Sequence, residues 1–189
     1  MKLFFNKLPK NEDFDPAEEG YKEINEPSNL KILTMTILVA ILVVILVGFI
    51  IKLIIGINYR FAIFDNYMWF VILIGIIPIH ELLHLILLPE KITSTNIRIG
   101  YYRGSCYVDY ANDIKKTRRL LVGVFPLLLT LLPIICILIF KSNIEILSKI
   151  SLINGILSSG DIISFFVILV QIPKGASVRN KGDVTYWKC

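Results

Sequence analysis

His80 and His84 are the only histidines in the chain, and Glu81 directly follows the first of them in the segment Ile79 to Leu88 (IHELLHLILL). On a helix, an i, i+4 pair of imidazoles shares one face and can reach a single metal ion. Two neutral histidines and a carboxylate from elsewhere leave a fourth position open, which is the pattern of catalytic rather than structural zinc. Glu81 would then lie beside the metal. There it could take the proton of the attacking water and pass it to the leaving amine of a cleaved peptide bond. The competing reading is interhelical hydrogen bonding between packed spans, which accounts for neither the glutamate nor a solitary acid elsewhere in the apolar sequence.

That acid is Asp161. Four long apolar runs are present: Ile32 to Ile51, Met68 to Leu88, Leu120 to Phe140 and Ile150 to Ile172. His80, Glu81, His84 and Asp161 are the only histidines or acids inside them, and ionisable groups are costly in hydrocarbon unless they serve a site. Asp161 is the candidate third ligand; a structural aspartate paired with another helix is the alternative. Its surroundings, Asn154 to Ser164 (NGILSSGDIIS), are small and hydroxyl-rich, so helices can approach closely there. Counted from Pro89 and Pro173 at helical rise, His84, His80 and Asp161 lie about 8, 14 and 18 Å inside their spans. The fourth span must therefore tilt or loosen for the aspartate to meet the histidines. Asn154, two helical turns before Asp161, is a candidate substrate-binding residue through the substrate backbone or a developing oxyanion. A helix-packing asparagine explains it equally. Pro78 removes the usual partner of the Ile74 carbonyl and is expected to kink the helix ahead of the motif.

The elements that must position these groups are membrane helices. The 189 residues are 55% hydrophobic with a mean hydropathy of +0.69, and each run approaches the roughly 20 residues that cross a bilayer as helix. Continuous rather than alternating apolarity excludes a barrel. No cleavable leader is expected, because the charged stretch Lys10 to Glu26 precedes a first run too long for one. Of the 20 Lys and Arg, all but Lys52, Arg60, Lys141 and Lys149 fall in the N-terminal arm, the loop between the second and third runs, or the tail. The positive-inside rule makes those segments cytoplasmic. The net charge of +5 is thereby topological, and nucleic acid is not an expected partner. Cys106, Cys136 and Cys189 have no zinc-knot spacing.

Residues 1–31 read as a cytoplasmic arm, flexible or lying on the membrane surface, with Met1 to Leu8 touching the headgroups or simply disordered. Residues 32–57 are an accessory first helix with its outer edge. Residues 68–172 form a three-helix core interrupted by a cytoplasmic loop at 90–119, and 173–189 are a cytoplasmic tail. Within the loop, Asn96 to Tyr110 alternates apolar and polar residues around Arg103-Gly104 and predicts a β-hairpin. Its open edge could pair with an extended peptide, or the loop could simply pack on the helix ends. The expected fold is an all-α membrane protein with four transmembrane helices and this one small hairpin.

An HExxH in a span, a hairpin-like loop, another span and an aspartate in the next resembles the site-2 protease class of intramembrane metalloproteases. More closely, HELLH, the Ser158 to Asp161 segment SSGD and the tail PKGASVRNKGD from Pro173 are similar to a small bacterial family of membrane zincin peptidases. The likeness covers Met68 to Asp183. It implies Zn2+ held by His80, His84 and Asp161, with Glu81 as the catalytic acid/base. Typical site-2 proteases carry prolines between the asparagine and a Leu-Asp-Gly; here Gly160 precedes Asp161 and no proline follows Asn154 before it. The resulting expectation is a multi-pass cell-membrane zinc endopeptidase that acts on a membrane protein or peptide substrate in the lipid bilayer. The alternative is a non-catalytic scaffold or regulator that retains the fold.

Overall fold

The structure is a computed structural model that describes residues 1–9, 11–60, 66–102 and 105–189. It is a mixed α/β chain, not the all-α protein with one hairpin that the apolar runs suggest. Six α-helices and seven strands in two sheets are found among the described residues. In chain order they are β1 (Lys2–Phe5), β2 (Lys22–Glu23), α1 (Asn29–Ile55), α2 (Met68–Ile86), β3 (Ile97–Tyr102), β4 (Ser105–Tyr110) and β5 (Ile114–Lys115). There follow α3 (Lys116–Val124), a 3-10 turn at Phe125–Leu127, α4 (Leu128–Phe140), α5 (Ile144–Leu157), α6 (Ser159–Gln171), β6 (Ser177–Lys181) and β7 (Val184–Lys188).

Among the described residues, three helical stretches are long and apolar enough to cross a membrane: α1, α2, and Lys116–Phe140, which joins α3 to α4 through the 3-10 turn. A fourth is obtained if α5 and α6, bent by 45° at their junction, count as one span. The chain divides into two compact units. One, made of Asn29–His80 and Val124–Ile163, has only helices as its regular elements among the described residues. Val47 and Ile51 of α1 pack there with Ile137 of α4 and Leu152 of α5. The approach of α1 to α5 requires Gly155, because a Cβ at that position would come within 2.6 Å of Val43 Cγ1. The outward face of α1 remains apolar along its length, from Leu30 through Leu38, Leu42 and Ile45 to Leu53. Such a surface suits hydrocarbon better than water.

The other unit, Met1–Ser28, Glu81–Gly123 and Ser164–Cys189, holds both sheets. The expected hairpin is β3 and β4, paired from Ile97↔Tyr110 to Tyr102↔Ser105; the turn expected at Arg103-Gly104 lies outside the described residues. β1 adds in parallel to the far side of β3, with Lys2 opposite Arg98 and Phe5 opposite Tyr101. The second sheet has the order β2-β7-β6-β5. The arm and tail that hydropathy leaves as featureless cytoplasmic segments thus supply four of the strands. A two-residue connection joins Lys181 to Val184. Gly182 adopts φ +67° there, a conformation that glycine enters without steric cost.

Phe14 anchors the arm. It is fully buried, edge-on to Tyr21 and Tyr186, with the Arg179 guanidinium 4.2 Å from its ring centre. Beneath the sheets, Ile24, Ile97, Ile114 and Val178 pack with Leu85 and Leu88 at the end of α2 and with Ile168 and Ile172 at the end of α6. Side-chain burial at this density fixes the ends of both helices that carry the motif residues.

Candidate metal centre

His80, Glu81 and His84 all lie on α2, which continues through Pro78 without ending. The helix therefore sets His84 one turn beyond His80 on the same face. Asp161 sits in the first turn of α6. Ser158 closes α5 with φ −71° and ψ −2°, and the 45° bend beside it is the loosening that the differing depths demanded. The bend places the carboxylate at a helix N-terminus, where the macrodipole favours negative charge.

Within the helical unit, Asp161 Oδ2 is 3.1 Å from His80 Nε2. The opposite ring nitrogen, His80 Nδ1, is 3.0 Å from Asn154 Oδ1. The orientation of that amide follows from its other contacts. Asn154 Nδ2 donates to the Pro126 carbonyl at 2.9 Å, an oxygen that can only accept, and to Thr130 Oγ1 at 2.9 Å. Asn154 Oδ1 is then an acceptor and His80 Nδ1 carries the proton it receives. In the neutral ring, His80 Nε2 is left with a lone pair, facing a carboxylate oxygen. Two acceptors at 3.1 Å are held together by a cation, either a proton or a metal ion.

His84 repeats the pattern: its Nδ1 donates to the Val122 carbonyl of α3 at 2.7 Å, again leaving the lone pair on Nε2. A metal-bound histidine characteristically donates its second nitrogen to a fixed oxygen, which settles tautomer and ring orientation. In the helical unit an imidazole nitrogen of His80 and a carboxylate oxygen of Asp161 lie 3.1 Å apart, and His84 follows His80 on the same helix. For comparison, tetrahedral bonds of about 2.05 Å put neighbouring ligands about 3.3 Å apart, a spacing that His80 and Asp161 already match. The donor set of two imidazoles and one carboxylate is that of catalytic zinc. Both histidines and Asn154 are buried, while the Asp161 side chain keeps 24% of its surface exposed.

Glu81 is half-buried on α2. Its carboxylate, after burial itself, raises the pKa of the Cys106 thiol on β4, which brings the hairpin into the electrostatic range of the motif. The sequence motif does not reveal the groups that orient its side chains. Val122 acts through its backbone, which leaves no side-chain signature. Pro126 and Thr130 hold Asn154 through a backbone carbonyl and a hydroxyl, groups that carry no charge to single them out in an apolar run.

A family model described as "Putative zincin peptidase" matches residues 73–177, more than half of the chain. Searches of the curated proteins and of the solved structures return no match. The matched stretch contains His80, Glu81, His84, Asn154 and Asp161, and by it the chain belongs to this zincin-peptidase family.

Proposed function

We propose that the protein is a zinc-dependent endopeptidase that cleaves a peptide bond within or next to the membrane, its centre opening toward the cytoplasm. The observation that carries this reading is the pair of oriented histidines: each Nδ1 proton is given to a fixed oxygen, and His80 Nε2 meets the Asp161 carboxylate at 3.1 Å. His80, His84 and Asp161 would hold the metal. When bound, zinc supplies Lewis acidity, polarising the scissile carbonyl and acidifying water.

Glu81 receives the proton of the attacking water at its carboxylate and delivers it to the leaving nitrogen, the role of a general base that becomes a general acid. Asn154 acts here as a positioning residue. Its Oδ1 and both Nδ2 hydrogens are engaged by His80, Pro126 and Thr130, in place of the direct substrate contact that its spacing suggested. A substrate must be unwound before its carbonyl is accessible, because helical carbonyls are already hydrogen-bonded. β4, at the end of its sheet and electrostatically linked to Glu81 through Cys106, offers a strand edge for such an extended segment. The excess of Lys and Arg in the arm, loop and tail supports a cytoplasmic side for both termini.

The test is proteolysis of membrane-tethered reporter peptides by detergent-purified protein, wild type beside Glu81→Gln. Loss of roughly 10²-fold or more in rate with retained zinc is expected. Cleavage at the wild-type rate by Glu81→Gln contradicts the mechanism and favours a non-catalytic role.

A further inference from the structure

The first turn of α3 carries Lys116, Arg118 and Arg119 and no acidic residue. Cations at a helix's own N-terminus oppose its macrodipole, so they are not there for the sake of α3. The positive-inside pattern explains their sign but not their partners. Arg118 Nε donates to the Leu87 carbonyl at 2.7 Å and Arg118 Nη2 to the Leu88 carbonyl at 2.9 Å. These are the last carbonyls of the chain leaving α2, directly before Pro89. Lys116 Nζ donates to Leu169 O at 2.8 Å, in the last turn of α6, and to Ile172 O, just past that helix and directly before Pro173. A cation at a helix C-terminus is the favourable arrangement. The same short helix also supplies Val122 O to His84 Nδ1.

We infer that Lys116 and Arg118 are positioning residues for the metal centre. From one rigid turn of α3 they fix the ends of α2, which bears His80, Glu81 and His84, and of α6, which bears Asp161, and so set the ligand geometry and metal affinity. The inference rests on the zinc-peptidase reading above. Arg118 spans two carbonyls with its planar fork, whereas a lysine can reach one at a time, so the charge alone does not reproduce its role. Lys116 is tied in place by a second bond, its backbone N–H donating to Ala176 O at 2.9 Å next to the β5–β6 pairing.

The test uses the full chain in detergent. Zinc affinity is measured by competition with a chromophoric chelator for wild type, Arg118→Gln, Arg118→Lys, Lys116→Gln and Lys116→Arg. The visible spectrum of the cobalt-loaded forms and the melting temperature of the metal-free forms are recorded alongside. Each Gln variant is expected to bind zinc about 10-fold or more weakly, the scale of losing an outer support of a ligand. Their cobalt bands should be altered and their metal-free melting close to wild type. Arg118→Lys should fall between Arg118→Gln and wild type, and Lys116→Arg should restore affinity. If a Gln variant does not fold, Arg118→Lys decides: intermediate affinity supports the inference, and wild-type affinity overturns it. Unchanged affinity in both Gln variants, or losses that follow metal-free melting without recovery in the charged variants, also overturns it. A wild type that binds no zinc contradicts the peptidase reading and this inference together, whereas wild-type binding with insensitive variants contradicts this inference alone.

Discussion

Replacing Asn154 with alanine separates the orientation of a ligand from the ligand itself. The side chain is fully buried and connects His80 Nδ1 at 3.0 Å to the Pro126 carbonyl and Thr130 Oγ1, each at 2.9 Å. Removing it has two consequences that different assays read. First, the His80 ring loses the acceptor that selects its tautomer, and such outer partners are worth about 10- to 100-fold in metal affinity, or roughly 1.4–2.7 kcal/mol. Second, a buried carbonyl and a hydroxyl lose their donor, at a cost of about 1–3 kcal/mol in stability. Zinc competition against a chelator measures the first; thermal unfolding of the metal-free protein in detergent measures the second. Asn154→Asp keeps an acceptor for His80 but turns a carboxylate toward the Pro126 carbonyl. It should therefore recover zinc affinity more than stability. Wild-type zinc affinity in Asn154→Ala would refute the orienting role and return Asn154 to a substrate contact or a packing residue.

Gly155→Ala should destabilise the helical unit by about 1–3 kcal/mol, the cost of overpacking, because its Cβ meets the stiff Val43 side chain at 2.6 Å. Adding Val43→Ala should restore much of the melting temperature, and additive losses would contradict the close approach of α1. Glu90 lies just beyond α2, where hydrogen bonds from Ser94, Tyr110, Asn96 and Asn112 hold its carboxyl at about 2, below the ordinary 4.5. A depressed folded-state pKa stabilises above the unfolded value and loses that stabilisation as pH falls through the folded one. Wild type should therefore weaken from pH 4.5 down toward 2. Glu90→Gln, less stable at neutral pH, should lack that part of the pH dependence in acid-unfolding curves; parallel curves would contradict the network.

The candidate site stands out in the sequence because charge is scarce where these residues lie. In runs built from Leu, Ile and Val, the residues His80, Glu81, His84 and Asp161 stand out by cost alone, and the i, i+4 spacing gives two of them a shared face. The mismatch in depth implied a fourth span that tilts or loosens, and a 45° bend lies between α5 and α6. The sheets were less legible. β3 and β4 announce themselves by alternation, but β1 and β2 are only 4 and 2 residues long, too short to carry a period. Their pairing partners lie far along the chain, as with Lys2↔Arg98 and Lys22↔Trp187. Non-local pairing of this kind depends on burial of Phe14 and Ile24 against the tail, which local propensity does not encode. The aromatic, β-branched run Val184 to Trp187 was the available signal, masked by its place in a charged terminus.

Elemental analysis of the purified chain, comparing wild type with His80→Ala, Asp161→Ala and Glu81→Gln, reads the occupancy of the metal centre directly. About one zinc per chain is expected in wild type and in Glu81→Gln, lost in both His80→Ala and Asp161→Ala, since ligands rather than the acid/base hold the ion. Zinc absent from wild type, or retained when Asp161 is replaced, would contradict a centre built from α2 and α6.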